Sequence, residues 1–219
     1  MIGSSFYSML SLAVGSVLVC AIIAIWVSST RLLIRVLATQ GLALGIVALV
    51  LGMHERDLSL AATAVVVLAL KGVFMPLMLS KVGSRSLNNL GLKPLVNIPA
   101  SLAASAVLIV LAFGSSRVIT SFVDTPIGSL APVGVATLLI GFFVLVARRR
   151  PVFQMAGLML VDNGIDLVAF LCSAGVPFLI ELGVSLDVLL AVVVLMVLAQ
   201  RLATEFGDLD VGDLRELHD

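Results

Sequence analysis

Of the 219 residues, 61% are hydrophobic and only 12% charged, and 13 basic side chains balance 13 acidic ones. Together with a mean hydropathy of +1.23, this leaves too little polar surface for a soluble domain and no excess positive charge to attract nucleic acid. The chain is expected to be an all-α polytopic membrane protein surrounded by lipid bilayer, because lipid offers no partner to backbone groups outside a helix.

Apolar runs of about 20 residues, each able to cross ~30 Å of hydrocarbon, recur along the chain. The first, 5–29, lacks a basic leader and is too long for a signal-peptide core, so it reads as a retained helix. The second, 33–53, follows Thr30-Arg31, and His54-Glu55-Arg56-Asp57 separates it from the third, 58–80. A polar loop from Lys81 to Pro99 leads to the fourth, 98–121. Asp124-Thr125-Pro126 precedes the fifth, 128–147, and Arg148-Arg149-Arg150-Pro151 precedes the sixth, 152–174. Ala174-Gly175-Val176-Pro177 introduces the seventh, 178–203. Residues 1–203 thus form one transmembrane domain, and 204–219 an acidic tail. Leu209, Val211, Leu214 and Leu217 in that tail are spaced like one face of a short helix, which suits either a solvated tail or a docking segment.

Basic residues in short loops set the orientation. An outward N-terminus puts Arg31, Arg35, Lys81, Arg85, Lys93, Arg148, Arg149, Arg150, Arg201 and Arg215 inside, and only Arg56 and Arg117 outside. The expectation is a multi-pass protein of the plasma (inner) membrane with a cytoplasmic C-terminus. Cys20 and Cys172 lie within apolar runs and His54 and His218 at polar ends, so neither a metal cluster nor a nucleophilic triad can be assembled.

Charges at hydrocarbon depth cost ~2.5–3.5 kcal/mol each on insertion scales, so each needs a reason. Lys71 lies near the middle of the third span. Asp162 is ~18 Å from the basic end of the sixth, and Asp166 follows at i+4 on the same face. Asp187 lies deep in the seventh span and Glu181 nearer its outer end; Asp166 and Glu181 are close enough to that end to be solvated. Lysine and carboxylates alternating in a low dielectric suit a proton relay, and equally suit a buried pair that fixes packing. Gln40 and Asn163 are placed to hold water for such a relay. Pro76 is expected to free a backbone carbonyl and open the third helix locally. The spans also suggest a duplicated three-helix unit, 5–80 and 128–203, joined by a linker helix at 98–121. Arg31 and Arg150 open the second helix of each triplet, and Gly45-Ile46 and Gly164-Ile165 follow at equal distance.

Several stretches together resemble the hydrogenase-4 membrane component E family: Lys71-Gly72-Val73-Phe74-Met75-Pro76, Met159-Leu160-Val161-Asp162-Asn163-Gly164-Ile165, Ile180 to Asp187, and Leu209-Asp210-Val211 with Leu214. The last three spans are also similar to the three-helix K-type subunit of respiratory complex I. Asp187 stands where that subunit has a membrane glutamate. Met159 stands where it has its other key glutamate, and Asp162, three residues on, is expected to substitute. The resemblance implies a subunit, without a cofactor of its own, of a complex-I-like [NiFe] hydrogenase or formate hydrogenlyase. Nickel–iron and iron–sulfur centres would reside in peripheral hydrogenase subunits. Antiporter-like membrane subunits and an H-type membrane anchor would be its neighbours in the membrane arm. Lys71, Asp162, Asp187, Asp166 and Glu181 would contribute to a lateral proton path, with Gln40 and Asn163 in support. A subunit of a multisubunit cation/proton antiporter and a purely structural bracket are the competing expectations.

Overall fold

The computed structural model describes residues 4–83, 96–115, 127–172, 187–189, 191–195 and 197–198. Helix α1 spans Ser4–Trp26 and α2 Thr30–Glu55. Helix α3, Leu58–Val67, runs without a break through a π-helical turn, Leu68–Phe74, into α4, Met75–Gly83. Helix α5 is Ile98–Gly114; a 3₁₀ turn, Gly128–Leu130, leads into α6, Ala131–Ala147; and α7 is Pro151–Cys172. Residues 187–189, 191–195 and 197–198 are helical as well. Among the described residues five helical spans, Ser5–Trp26, Thr30–Glu55, Leu58–Lys81, Gly128–Ala147 and Pro151–Cys172, are long and apolar enough to cross a membrane, and Ile98–Gly114 is a shorter apolar helix. The chain is an all-helical, polytopic membrane protein. Helix α5 is capped at Ser115, and the rest of the expected fourth span, 116–121, lies outside the described residues. Most of the seventh span, and the tail 204–219, lie outside the described residues.

Local chemistry explains the helix ends. Arg56 adopts a left-handed conformation (φ 56°, ψ 31°) and its N–H returns to Gly52 O, which closes α2 within a tight turn. Asp57 then caps α3 by accepting from Ser59 N and Oγ, both at 2.8 Å. These bonds hold the Asp57 carboxyl below the usual carboxylate range. Asn97 caps α5 by accepting from Ala100 N at 3.0 Å. Proline sits in the first turn of α5 and of α6 and opens α7, where its missing N–H costs nothing.

Two cores stack along the membrane normal. One gathers Ile25, Leu33, Leu79, Val144, Phe153 and Val192; the other gathers Leu10, Leu51, Leu60, Ala131 and Phe170. Membership alternates with chain direction, so α1, α3–α4 and α6 run one way and α2 and α7 the other. The loops carrying Arg31, Lys81 and Arg148 to Arg150 therefore gather at one end of the bundle. There the buried Arg148 donates to Ile25 O, capping the C-terminus of α1, and its guanidinium lies 5.6 Å from the Phe153 ring centroid. Burial, and then the charge of Arg150, pull the Arg148 pKa down. At the opposite end Phe6 stacks on His54 at 4.0 Å, and Tyr7 Oη lies 3.3 Å from Ser129 Oγ. Outward positions such as Leu12, Met53, Val110 and Val146 are exposed aliphatics, as a lipid-facing surface requires.

Helices α6 and α7 form the closest pair. Gly134 and Gly141 on α6, and Gly157 and Gly164 on α7, repeat at seven-residue spacing. A Cβ at Gly141 would sit 2.6 Å from Val161 N, and one at Gly157 2.9 Å from Leu145 N. This seam of small residues lets two backbones touch, the usual means of helix association where lipid supplies no hydrophobic drive. It commits one face of α7 to α6 and turns the next residues toward other helices.

Candidate functional site

Three consecutive residues of α7 serve three neighbours, because each residue advances ~100° around the helix. Val161 meets α6 at Gly141. Asp162 faces Lys71 in the π-turn, with Oδ2 2.6 Å from Nζ. Asn163 faces α2, where its Nδ2 donates to Gln40 Oε1 at 3.0 Å. Gln40 Nε2 in turn donates to Val17 O of α1 at 3.1 Å. A polar layer thus crosses α1, α2, α7 and the π-turn near mid-membrane. Lys71 and Gln40 are fully buried, and Asp162, Asn163 and Asp166 are each 2% exposed.

Asp166 corrects an expectation. Its place near the outer end of the sixth span suggested solvation, but it is buried, and its Oδ2 accepts a hydrogen bond from Lys71 Nζ. The long lysine stem allows one ammonium to engage carboxylates a helical turn apart. The two bonds differ in kind. Lys71 donates to Asp166, whereas neither oxygen of Asp162 accepts a hydrogen bond among the described residues, despite the short ion-pair distance. Asp162 is thus held to Lys71 by charge, through a buried ion pair that lacks hydrogen-bond geometry.

The π-turn positions Lys71. Met75 N–H donates to Leu70 O, five residues back, in place of the α-helical partner four back, and Pro76 brings no N–H to the ladder. The expected local opening at Pro76 takes this form. Against the turn lies Gly41, where a Cβ would fall onto the carbonyl of Lys71 and within 2.8 Å of Gly72 N. Nothing in the residue order around Gly41 signals that it lets α2 approach the turn. Adjacent residues of α2 therefore serve the site together, Gly41 by yielding space and Gln40 by bonding Asn163. The two amides expected to hold water bond each other directly.

Not every expected residue joins the cluster. Asp187, expected on the same lateral proton path, is exposed on the surface of the chain, in a helix that packs through Val188, Leu189 and Val192. Glu181 lies outside the described residues. Among the described residues no group of three or more His, Cys, Asp or Glu side chains could hold a metal ion.

No family model matches the chain, and no solved structure matches it. An uncharacterised protein of Mycobacterium tuberculosis is 37% identical over 220 residues, covering 100% of both chains. Hydrogenase-4 component E of Escherichia coli K12 is 31% identical over 155 residues, 67% of this chain and 68% of that one, and its counterpart in Shigella flexneri matches equally. With that identity carried across two thirds of both chains, the chain belongs to the hydrogenase-4 component E family.

Proposed function

We propose that this chain is a membrane subunit of a complex-I-like [NiFe] hydrogenase or formate hydrogenlyase-type complex. In this reading its Lys71–Asp162–Asp166 cluster takes part in lateral proton transfer through the membrane arm. The family membership supports the first part. The observation that carries the second is the charge count of a buried site: one ammonium faces two carboxylates. Lys71 balances one of them and leaves one negative charge over, which a proton passing through the site neutralises. Asp162, which accepts no hydrogen bond among the described residues, is the carboxylate assigned to that exchange. A proton arriving on Asp162 leaves Lys71 to Asp166; its departure returns Lys71 to a position shared between the two. The cluster then passes a proton through its own side chains.

In this assembly the nickel–iron and iron–sulfur centres belong to peripheral subunits on the cytoplasmic face. Antiporter-like subunits and an H-type anchor flank the chain in the membrane, and the basic end of the bundle faces the cytoplasm. A structural bracket is the competing reading, and the direct Gln40–Asn163 bond favours it, since those amides then serve packing. The test is to purify the complex from native membrane through a tag on this chain, identify its subunits, and compare wild type with Asp162→Asn. The proposal expects a hydrogenase large subunit in the complex, and normal assembly of the variant with slowed hydrogen turnover and slowed proton uptake into vesicles. A variant that assembles with both rates unchanged leaves the bracket reading in its place. A complex with antiporter subunits and no hydrogenase subunit overturns the first part.

A further inference from the structure

Asp187 sits where a carboxylate is costly. Its neighbours Val188 and Leu189, with Val192, pack onto the core that also holds Leu37, Met159 and Leu160, residues within the membrane-length spans of α2 and α7. That places Asp187 at hydrocarbon depth. It is exposed, and among the described residues it makes no ion pair or hydrogen bond. Asp187, Ala191, Val194 and Leu198 follow one another at i, i+4, i+7 and i+11, one stripe along a helix. Val194 and Leu198 are 55% and 54% exposed. The stripe is thus aliphatic around a single acid.

We infer that this stripe docks against a transmembrane helix of a neighbouring subunit, and that this helix presents a lysine or arginine to the Asp187 carboxylate. The choice of occupant follows from charge. Lipid tails would leave the acid unsolvated, which is the most expensive arrangement available to it. A second copy related by a two-fold axis would bring Asp187 toward Asp187, like charge against like. Among the described residues, the buried cations are engaged elsewhere: Lys71 serves Asp162 and Asp166, and Arg148 is held at Ile25 at the end of the bundle. A basic side chain on a partner helix neutralises the acid at its own depth and covers the aliphatic stripe in the same step. The inference rests on the reading of the chain as one subunit of a larger membrane complex.

The probe is dicyclohexylcarbodiimide, an apolar reagent that converts a protonated carboxyl in the membrane to an N-acylurea. Asp187 labelling is measured by mass spectrometry in the wild-type complex in native membranes, against the same complex unfolded in detergent. Protection of about tenfold or more is expected. Asp187→Lys should reduce co-purification of partner membrane subunits by about tenfold or more, since it sets two cations face to face, and Asp187→Asn by less. Membrane abundance of both variants shows whether insertion is intact. Full labelling in the native complex means that the stripe faces lipid and overturns the inference. Protection with undiminished assembly of both variants means that a helix without a cation covers the stripe, which also overturns it. Protection in a preparation holding only this chain assigns the stripe to a second copy, and overturns both this inference and the subunit reading. A hydrogenase-containing complex in which Asp187 is fully labelled sinks the inference alone.

Discussion

Asp162 and Asp166 share a helix face and a lysine, yet their removal should not cost the same. Asp166 accepts a hydrogen bond from Lys71, and Asn in its place loses the charge-assisted part of that bond, worth ~1.5–3 kcal/mol. Asp162 accepts no hydrogen bond among the described residues. Asp162→Asn removes the surplus negative charge and leaves one ammonium with one carboxylate, so it should cost less than ~1 kcal/mol, and relief of the like-charge pair can make it stabilising. Lys71→Met leaves both acids without their cation and should cost ~3–5 kcal/mol. The expected order of destabilisation is Lys71→Met, then Asp166→Asn, then Asp162→Asn. Cys20, which is 7% exposed, reports unfolding through pulse labelling with a thiol reagent during a denaturing-detergent titration, and its peptide is separable by mass from that of Cys172. If Asp162→Asn destabilises as much as Asp166→Asn, Asp162 is a packing residue and the argument from its unsatisfied oxygens fails.

Other consequences follow from the same coordinates. Gly41→Ala should destabilise by ~1–3 kcal/mol, because the added methyl meets backbone of the π-turn that cannot step aside. Gly72→Ala should cost less, since its methyl meets the Leu42 side chain, which can change rotamer; equal losses in the titration would remove the special role given to the α2 contact. Arg148→Gln should loosen the end of α1, with a loss of ~1.5–3 kcal/mol and faster hydrogen–deuterium exchange confined to the last turn before Trp26. Exchange rising evenly along α1 would refute the capping role. Asp57→Ala should lower the melting temperature near neutral pH. The folded-state pKa of Asp57 is depressed, so its contribution is present above the unfolded carboxylate value of ~3.9 and is lost as pH falls through the folded value. Variant and wild type should therefore converge in acid, and a difference that persists there would show that the carboxylate is not the source.

Much of this protein is legible in one dimension because a bilayer is a one-dimensional filter. Span length, the polar breaks at Thr30-Arg31, His54 to Asp57 and Arg148 to Pro151, and the gathering of basic loops at one end depend on depth along the membrane normal, which is counted off the chain at ~1.5 Å per residue. The same count placed Lys71 and Asp162 near mid-membrane, and the cost of charge at that depth required an interior site for each, paired or hydrated. Azimuth is another matter. Which way a residue faces around its helix depends on which neighbour the helix packs against, and hydropathy carries little of that in helices apolar all round. Only the tertiary structure shows the glycine seam that commits one face of α7 to α6, and so turns Asp166 inward to Lys71 rather than toward solvent. Only the structure shows Gly41 against the π-turn, Arg148 reaching the end of α1, and Asp187 turned out of the bundle. Depth was written in the order of residues, and facing was decided by packing.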